Sequence, residues 1–203
     1  MNLNIIETFY ENGIIKEKYE ISEGKKHGNY IKYYEDGEKW IVCKYYYDEL
    51  HDKYTKFFDN GKPYIHCEYV FGKLFGKYFE YNYNNNLIKL LNYENNNKIG
   101  IQKIFYENGN IKEKYNFVNN LLEGEAVFYH SNKYKSCICY YKNNKLHGQF
   151  QSFWENGNLF VKCNYIDGKI EGIYEMQNYD KSILKTRVYC NNICIDKKIE
   201  YLK

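Results

Sequence analysis

Four cysteines, Cys43, Cys67, Cys139 and Cys163, are separated by multiples of 24 residues, and so are the histidines His27, His51 and His147. Thiolates and imidazoles are the ligands zinc prefers, so the first chemistry to weigh is a metal centre or a disulfide ladder. A period of 24 means equivalent positions in successive copies of one unit. If each copy is two strands, equivalent cysteines stand ~9.5 Å apart, beyond the ~7 Å that a disulfide tolerates between Cα atoms. Cys137 with Cys139, and Cys190 with Cys194, lack the spacing of a zinc knuckle. The cysteines therefore read as small buried apolar groups, and the histidines as loop residues. There is no Gly-x-Ser-x-Gly elbow, His-Glu-x-x-His helix or phosphate-cradling glycine loop. The expectation is a protein that is not an enzyme, with no cofactor and no metal.

The same period orders the charges. Lys25, Lys73, Lys145 and Lys169 share one place in the unit, while Glu11, Glu35, Asp59, Glu107 and Glu155 share another about half a period away. If those places lie at opposite ends of the strands, one long edge is basic and the other acidic. The four lysines are the candidate surface for an acidic protein partner or for anionic lipid headgroups.

The elements that position these residues follow from two turn signals. Asn-Gly or Asp-Gly occurs at 12/13, 36/37, 60/61, 108/109 and 156/157. A second signal stands at 24, 48, 72, 96, 120, 144, 168 and 192, always Gly, Asn or Asp, which tolerate a left-handed backbone. Runs of about eight residues rich in Tyr, Phe, Ile and Val separate the turns, as strands require. The fold class expected is all-β: a single-layer antiparallel β-hairpin array of about eight 24-residue units, elongated and twisted as an open sheet must be. Residues 1–203 form one array, with units starting near 9, 33, 57, 81, 105, 129, 153 and 177.

Three columns recur. Column one is Phe9, Tyr33, Phe57, Tyr81, Phe105, Tyr129 and Phe153, and column two is Tyr45, Tyr69, Tyr93, Phe117, Tyr141, Tyr165 and Tyr189. Together they are expected to form a structural aromatic seam. Column three is glycine at 28, 76, 100, 124, 148 and 172, with Asp52 and Asp196 as exceptions, and a column-two ring is the natural cover for the bare backbone. The first turn leaves two registers open. A two-residue type I′ turn sets column one against Lys16, Trp40, Tyr64, Ile88 and Phe160; a three-residue turn with a bulge sets it against Ile15, Pro63, Leu87, Ile111 and Leu159.

These residues resemble a known repeat. Phe9 to Gly28 and Phe153 to Gly172 follow the pattern Tyr-Glu-Asn-Gly-x-x-Lys, Tyr, Gly-Lys-x-x-Gly and are similar to the MORN repeat, in the variant form found in bacterial antitoxin-like proteins. The resemblance covers almost the whole chain; Asn85, Lys133 and Lys181 depart from it by replacing the turn glycine. It implies successive hairpins in one sheet, with roles in scaffolding, dimerisation and attachment to phospholipid surfaces.

Bulk properties narrow the partners. The net charge is +3, from 29 basic and 26 acidic residues, and Arg187 is the single arginine, which argues against nucleic acid. No apolar run reaches the ~18 residues of a membrane span, so the expected location is soluble, intracellular and cytoplasmic, with peripheral attachment to membranes as an extension. A protein partner, a second copy included, is the first expectation for binding, and an anionic membrane surface the next. An antitoxin-like neutralising partner is a special case of the first.

Overall fold

The computed structural model describes residues 3–201, and every element in them is a β-strand or a turn. The chain separates into two compact units, 1–98 and 99–203. Unit one holds β1 (Asn4–Phe9), β2 (Ile15–Ser22), β3 (Lys25–Tyr33), β4 (Lys39–Tyr46), β5 (Glu49–Phe57), β6 (Pro63–Val70), β7 (Lys73–Tyr81), β8 (Leu87–Glu94) and β9 (Asn97–Lys98). Unit two holds β10 (Gly100–Phe105), β11 (Ile111–Val118), β12 (Leu121–Leu122), β13 (Gly124–Tyr129), β14 (Lys135–Lys142), β15 (Lys145–Phe153), β16 (Leu159–Ile166), β17 (Lys169–Ile170), β18 (Gly172–Gln177), β19 (Ile183–Cys190) and β20 (Ile193–Tyr201). Within each unit the long strands pair antiparallel in chain order, and the short β12 and β17 pair only with β11 and β16, which go on to pair with β13 and β18. Each unit is an all-β array of hairpins in an open antiparallel sheet.

The first turn is the bulged one. In Tyr10–Ile14 the Gly13 N–H donates to the Tyr10 carbonyl at 3.0 Å, and the Tyr10 N–H donates to the Ile14 carbonyl at 2.8 Å. Of the loop residues only Gly13 has positive φ, at 83°, so Asn12-Gly13 is not a type I′ turn, which needs positive φ at both residues. The register skips one residue here: Thr8 faces Glu17 and Phe9 faces Ile15. The same step sets Phe57 against Pro63, Tyr81 against Leu87, Phe105 against Ile111 and Phe153 against Leu159. The skipped residues turn toward the next column: Trp40 stacks on Tyr34 with centroids 5.5 Å apart, and Phe160 lies 4.2 Å from Trp154.

The type I′ geometry belongs to the second turn, where both central residues have positive φ in all eight copies, from Glu23 and Gly24 to Asn191 and Asn192. Side chains there tie one 24-residue repeat to the one before it. The Asn96 Oδ1 accepts the Leu74 N–H at 2.7 Å, and the Asn144 Oδ1 accepts the Leu122 N–H at 2.7 Å. At the other end of the strands the Asn12 Nδ2 donates to the Glu35 carbonyl at 3.0 Å, and the Tyr10 hydroxyl to the Tyr33 carbonyl at 2.7 Å.

A single layer buries little. Among the described residues nine hydrophobic side chains are buried, including Tyr30, Cys43, Cys67, Leu91, Ala126, Cys139, Val161 and Cys163, whereas twenty large hydrophobics are exposed.

Candidate interaction surface

Side chains alternate across a strand, so the register assigns every column to a face. Tyr45 stands opposite Gly28, next to the Tyr30–Cys43 pair, which puts column two on the face that carries the buried cysteines. Tyr33 follows Lys32, the partner of Ile41, and so points to the other face. The two aromatic columns therefore lie on opposite faces of the sheet.

The ring packing on the cysteine face joins column two to a further aromatic series, Tyr30, Tyr54, Tyr78, Phe150 and Tyr174. Their contacts with Tyr45, Tyr69, Tyr93, Tyr165 and Tyr189 are edge-on, with centroids 5.4, 5.7, 6.1, 5.6 and 5.6 Å apart. Edge-to-face pairs of this kind are worth ~0.5 to 1.5 kcal/mol beyond the area they bury. In unit two Phe117 meets Tyr115 of its own strand at 5.7 Å. The 24-residue period contained this second series, since 30, 54, 78, 150 and 174 are themselves in phase. Column one contributes carbonyls more than rings: those of Tyr33, Phe57, Tyr129 and Phe153 bond the Tyr10, Tyr34, Tyr106 and His130 side chains of the preceding repeat in turn. Phe9 is 55% exposed, and the rest of column one is half-buried.

Cysteines alternate with rings in the same row: Cys43 faces Tyr54, which faces Cys67, and Cys139 faces Phe150, which faces Cys163. An aromatic strand thus separates successive thiols, and all seven cysteines are free. Burial pushes the Cys43 and Cys67 thiols up to about 12 and that of Cys163 up to about 11. Burial likewise raises the Tyr54 and Tyr69 hydroxyls to about 12.

All six glycines of the column have positive φ, and only half lie under a side chain, Gly28 under Glu20, Gly76 under Glu68 and Gly148 under Tyr140, none of them a column-two ring. Gly100, Gly124 and Gly172 have φ of 61°, 79° and 78°, and a Cβ at any of them would meet open space. They sit where β10, β13 and β18 begin, just past a break in the strand. Asp52 accepts the same conformation, φ 69°, and bonds Lys44 Nζ at 2.9 Å.

Lys25, Lys73, Lys145 and Lys169 each open a strand directly after a second turn, and all are exposed. Among the described residues none of the four forms an ion pair. Their equivalents Glu49, Asn97, Leu121 and Ile193 break the row. The basic charge gathers most in unit two, where Lys145 lies directly opposite Lys142 across its turn. Two residues beyond the lysines, the histidine column cross-links units: His51 Nδ1 accepts the Phe71 N–H at 3.4 Å, while Glu123 and Glu171 accept the Asn143 and Asn191 N–H groups at 2.9 and 2.8 Å. His27 packs against the Tyr46 and Tyr47 rings at 5.0 and 4.6 Å. Among the described residues no three His, Cys, Asp or Glu side chains are grouped to hold a metal.

A family model described as MORN repeat variant matches residues 98–119 and 146–167. Two segments of the chain are thus similar to the MORN repeat in its variant form. Each matched segment runs from the head of a glycine-bulge strand through a hairpin to a second turn, so the MORN unit coincides with the structural repeat. No curated protein matches the chain. MORN repeats are a non-enzymatic repeat type, generally associated with scaffolds for protein and membrane interaction. No helix among the described residues is long and apolar enough to cross a membrane.

Two charged residues that sequence reasoning passed over lie among the rings of unit one. Lys26 Nζ sits 5.1, 4.8 and 5.3 Å from the centroids of Tyr19, Tyr30 and Tyr45, within cation–π range of all three. Beside it the Glu17 carboxylate accepts the Tyr30 hydroxyl at 2.9 Å and lies 3.5 Å from Lys32 Nζ. Burial, and then this bond, raise the Tyr30 hydroxyl far above its ordinary range.

Proposed function

We propose that this MORN array is a non-enzymatic protein-interaction scaffold or adaptor, receiving a partner protein, a second copy of the chain among the candidates, on its aromatic face. The observation that carries the reading is the half-exposed row of rings Tyr45, Tyr69, Tyr93, Tyr165 and Tyr189, backed by their edge-on neighbours, in a sheet of one layer. Contiguous apolar surface of that kind marks contact sites, and aromatic side chains dominate binding energy where they become buried. The experiment is photo-crosslinking in native extract with the reactive residue placed at Tyr69 or Tyr165, then reconstitution of the purified pair. Crosslinks from the aromatic face and a measurable dissociation constant are expected. A chain that stays monomeric at high concentration and crosslinks equally from Glu11 and Tyr69 would sink the reading.

A second reading, binding to anionic phospholipid, is favoured by the exposed lysines without ion partners at positions 25, 73, 145 and 169. Each contributes ~1 kcal/mol near a charged bilayer. Changing all four to Gln is expected to release the chain from phosphatidylserine vesicles, and undiminished binding by the quadruple variant rules this reading out. Antitoxin-like neutralisation is the scaffold reading with a toxin as the partner.

A further inference from the structure

Four repeats separate Glu17, Tyr19 and Tyr45 from Glu113, Tyr115 and Tyr141, and the residue types are the same at all three places. The other four positions of the lining change: Ile21 becomes Phe117, Lys26 becomes Leu122, Tyr30 becomes Ala126 and Lys32 becomes Phe128. The last three are the groups that fill the ring cluster of unit one and satisfy its carboxylate. Lys26 supplies the cation among the tyrosines, and the Tyr30 hydroxyl and Lys32 ammonium hold Glu17.

Removing them from unit two leaves a recess of about 240 Å³. That is the share of roughly eight waters at about 30 Å³ each, room for an aliphatic amine. Ala126, 1% exposed, forms its floor with Leu122, and Tyr115, Phe117, Phe128 and Tyr141 form its walls. Glu113 is the one charged residue lining it. Its ion partner is Lys112, the preceding residue, at 3.8 Å and with its side chain 48% exposed. An anion would be repelled here, and a neutral apolar guest would strip water from a carboxylate without replacing its bonds. An ammonium on an aliphatic stem meets both demands, the stem on the rings and the charge on the carboxylate.

We propose that this recess is a docking site for a lysine side chain of a partner protein, which enters the place that Lys26 fills from within the chain in unit one. The proposal rests on the scaffold reading and names the chemistry of its partner. Charge complementarity with Glu113 and the lysine already seated in the equivalent ring cluster select the occupant.

The test is a titration of the full chain, its tyrosine rings labelled with carbon-13, with N-acetyl-lysine methylamide, followed by NMR. The norleucine analogue, which lacks the ammonium, is the control. Saturable shifts are expected at the Tyr115 and Tyr141 rings, with the norleucine analogue about tenfold weaker, equivalent to ~1.4 kcal/mol. Glu113→Gln should remove that preference while leaving the Tyr174 and Tyr189 resonances in place, which shows that the fold is intact. Ala126→Tyr with Phe128→Lys, which restores the two groups that hold the carboxylate in unit one, should abolish the shifts. Equal binding of the two analogues, an unchanged lysine preference in Glu113→Gln, or no saturable shift would each overturn the site. Partner capture elsewhere on the ring face with no lysine binding would sink the recess alone, whereas lysine binding by a chain that captures no protein would sink the scaffold reading.

Discussion

Lys133 and Lys181 carry φ of 76° and 64° where Gly13, Gly37 and Gly61 stand in other units. A β-carbon in the left-handed region costs about 1 kcal/mol, and lysine has no short polar group to offset it as Asn85 does. Lys133→Gly is therefore expected to raise the urea midpoint by the equivalent of about 0.5 to 1 kcal/mol, the gain reduced by the freedom glycine adds to the unfolded chain. Asn85→Gly should change it less. A lower midpoint for Lys133→Gly would show that the lysine stem is held by packing that outweighs its backbone strain. The special positions were visible in the sequence as breaks in a glycine column. That three non-glycine residues hold the same left-handed backbone was not visible, because residue type records a preference and only coordinates record φ.

At the scale of the hairpin, the two turns divide the labour. Glu-Asn-Gly makes a three-residue turn whose bulge ejects Trp40, Tyr64 and Phe160 toward the neighbouring ring column, and the second turn makes the tight type I′ reversal. Asn-Gly suits either geometry, so its presence could not choose. The asparagines of the second turn do two jobs: they accept positive φ, and they hold an N–H of the preceding unit, as Asn144 does for Leu122 at 2.7 Å. Replacement separates the jobs. Asn144→Gly keeps the backbone and loses the bond, at an expected cost of about 0.5 to 1 kcal/mol, and Asn144→Ala loses both, at about twice that. Chemical denaturation of the two variants checks the order; equal costs would mean that the left-handed backbone costs alanine nothing, and no loss in Asn144→Gly would mean that the bond to Leu122 contributes nothing.

For the molecule as a whole, stability is spread along rows of half-buried rings and thiols instead of a central core, and this makes it sensitive to alkali. Cys43 and Cys67 rise from an ordinary 9.0 to about 12, and Tyr54 and Tyr69 from 10.0 to about 12, chiefly because burial disfavours their anions. Above pH 9 the unfolded chain releases these protons while the folded chain keeps them. The unfolded state then binds fewer protons, and stability falls with rising pH. The guanidinium midpoint should hold steady up to about pH 9 and drop between about 9 and 12, the window those shifted groups define. A flat profile across that window would mean that the rows open to water well before global unfolding.

The amino-acid sequence by itself determined the 24-residue beat, the alternation of strand and turn, the left-handed places and the MORN resemblance, because each is a local preference repeated in phase. Tertiary structure decided which residues meet: that columns one and two lie on opposite faces, that Tyr30 and its equivalents are the ring partners, and that Ala126 opens a recess over Glu113. A repeat period says which residues are equivalent and is silent on which are opposite. Opposition depends on strand register, and register is set by one bulged residue per hairpin and by contacts between chain segments that no local pattern encodes.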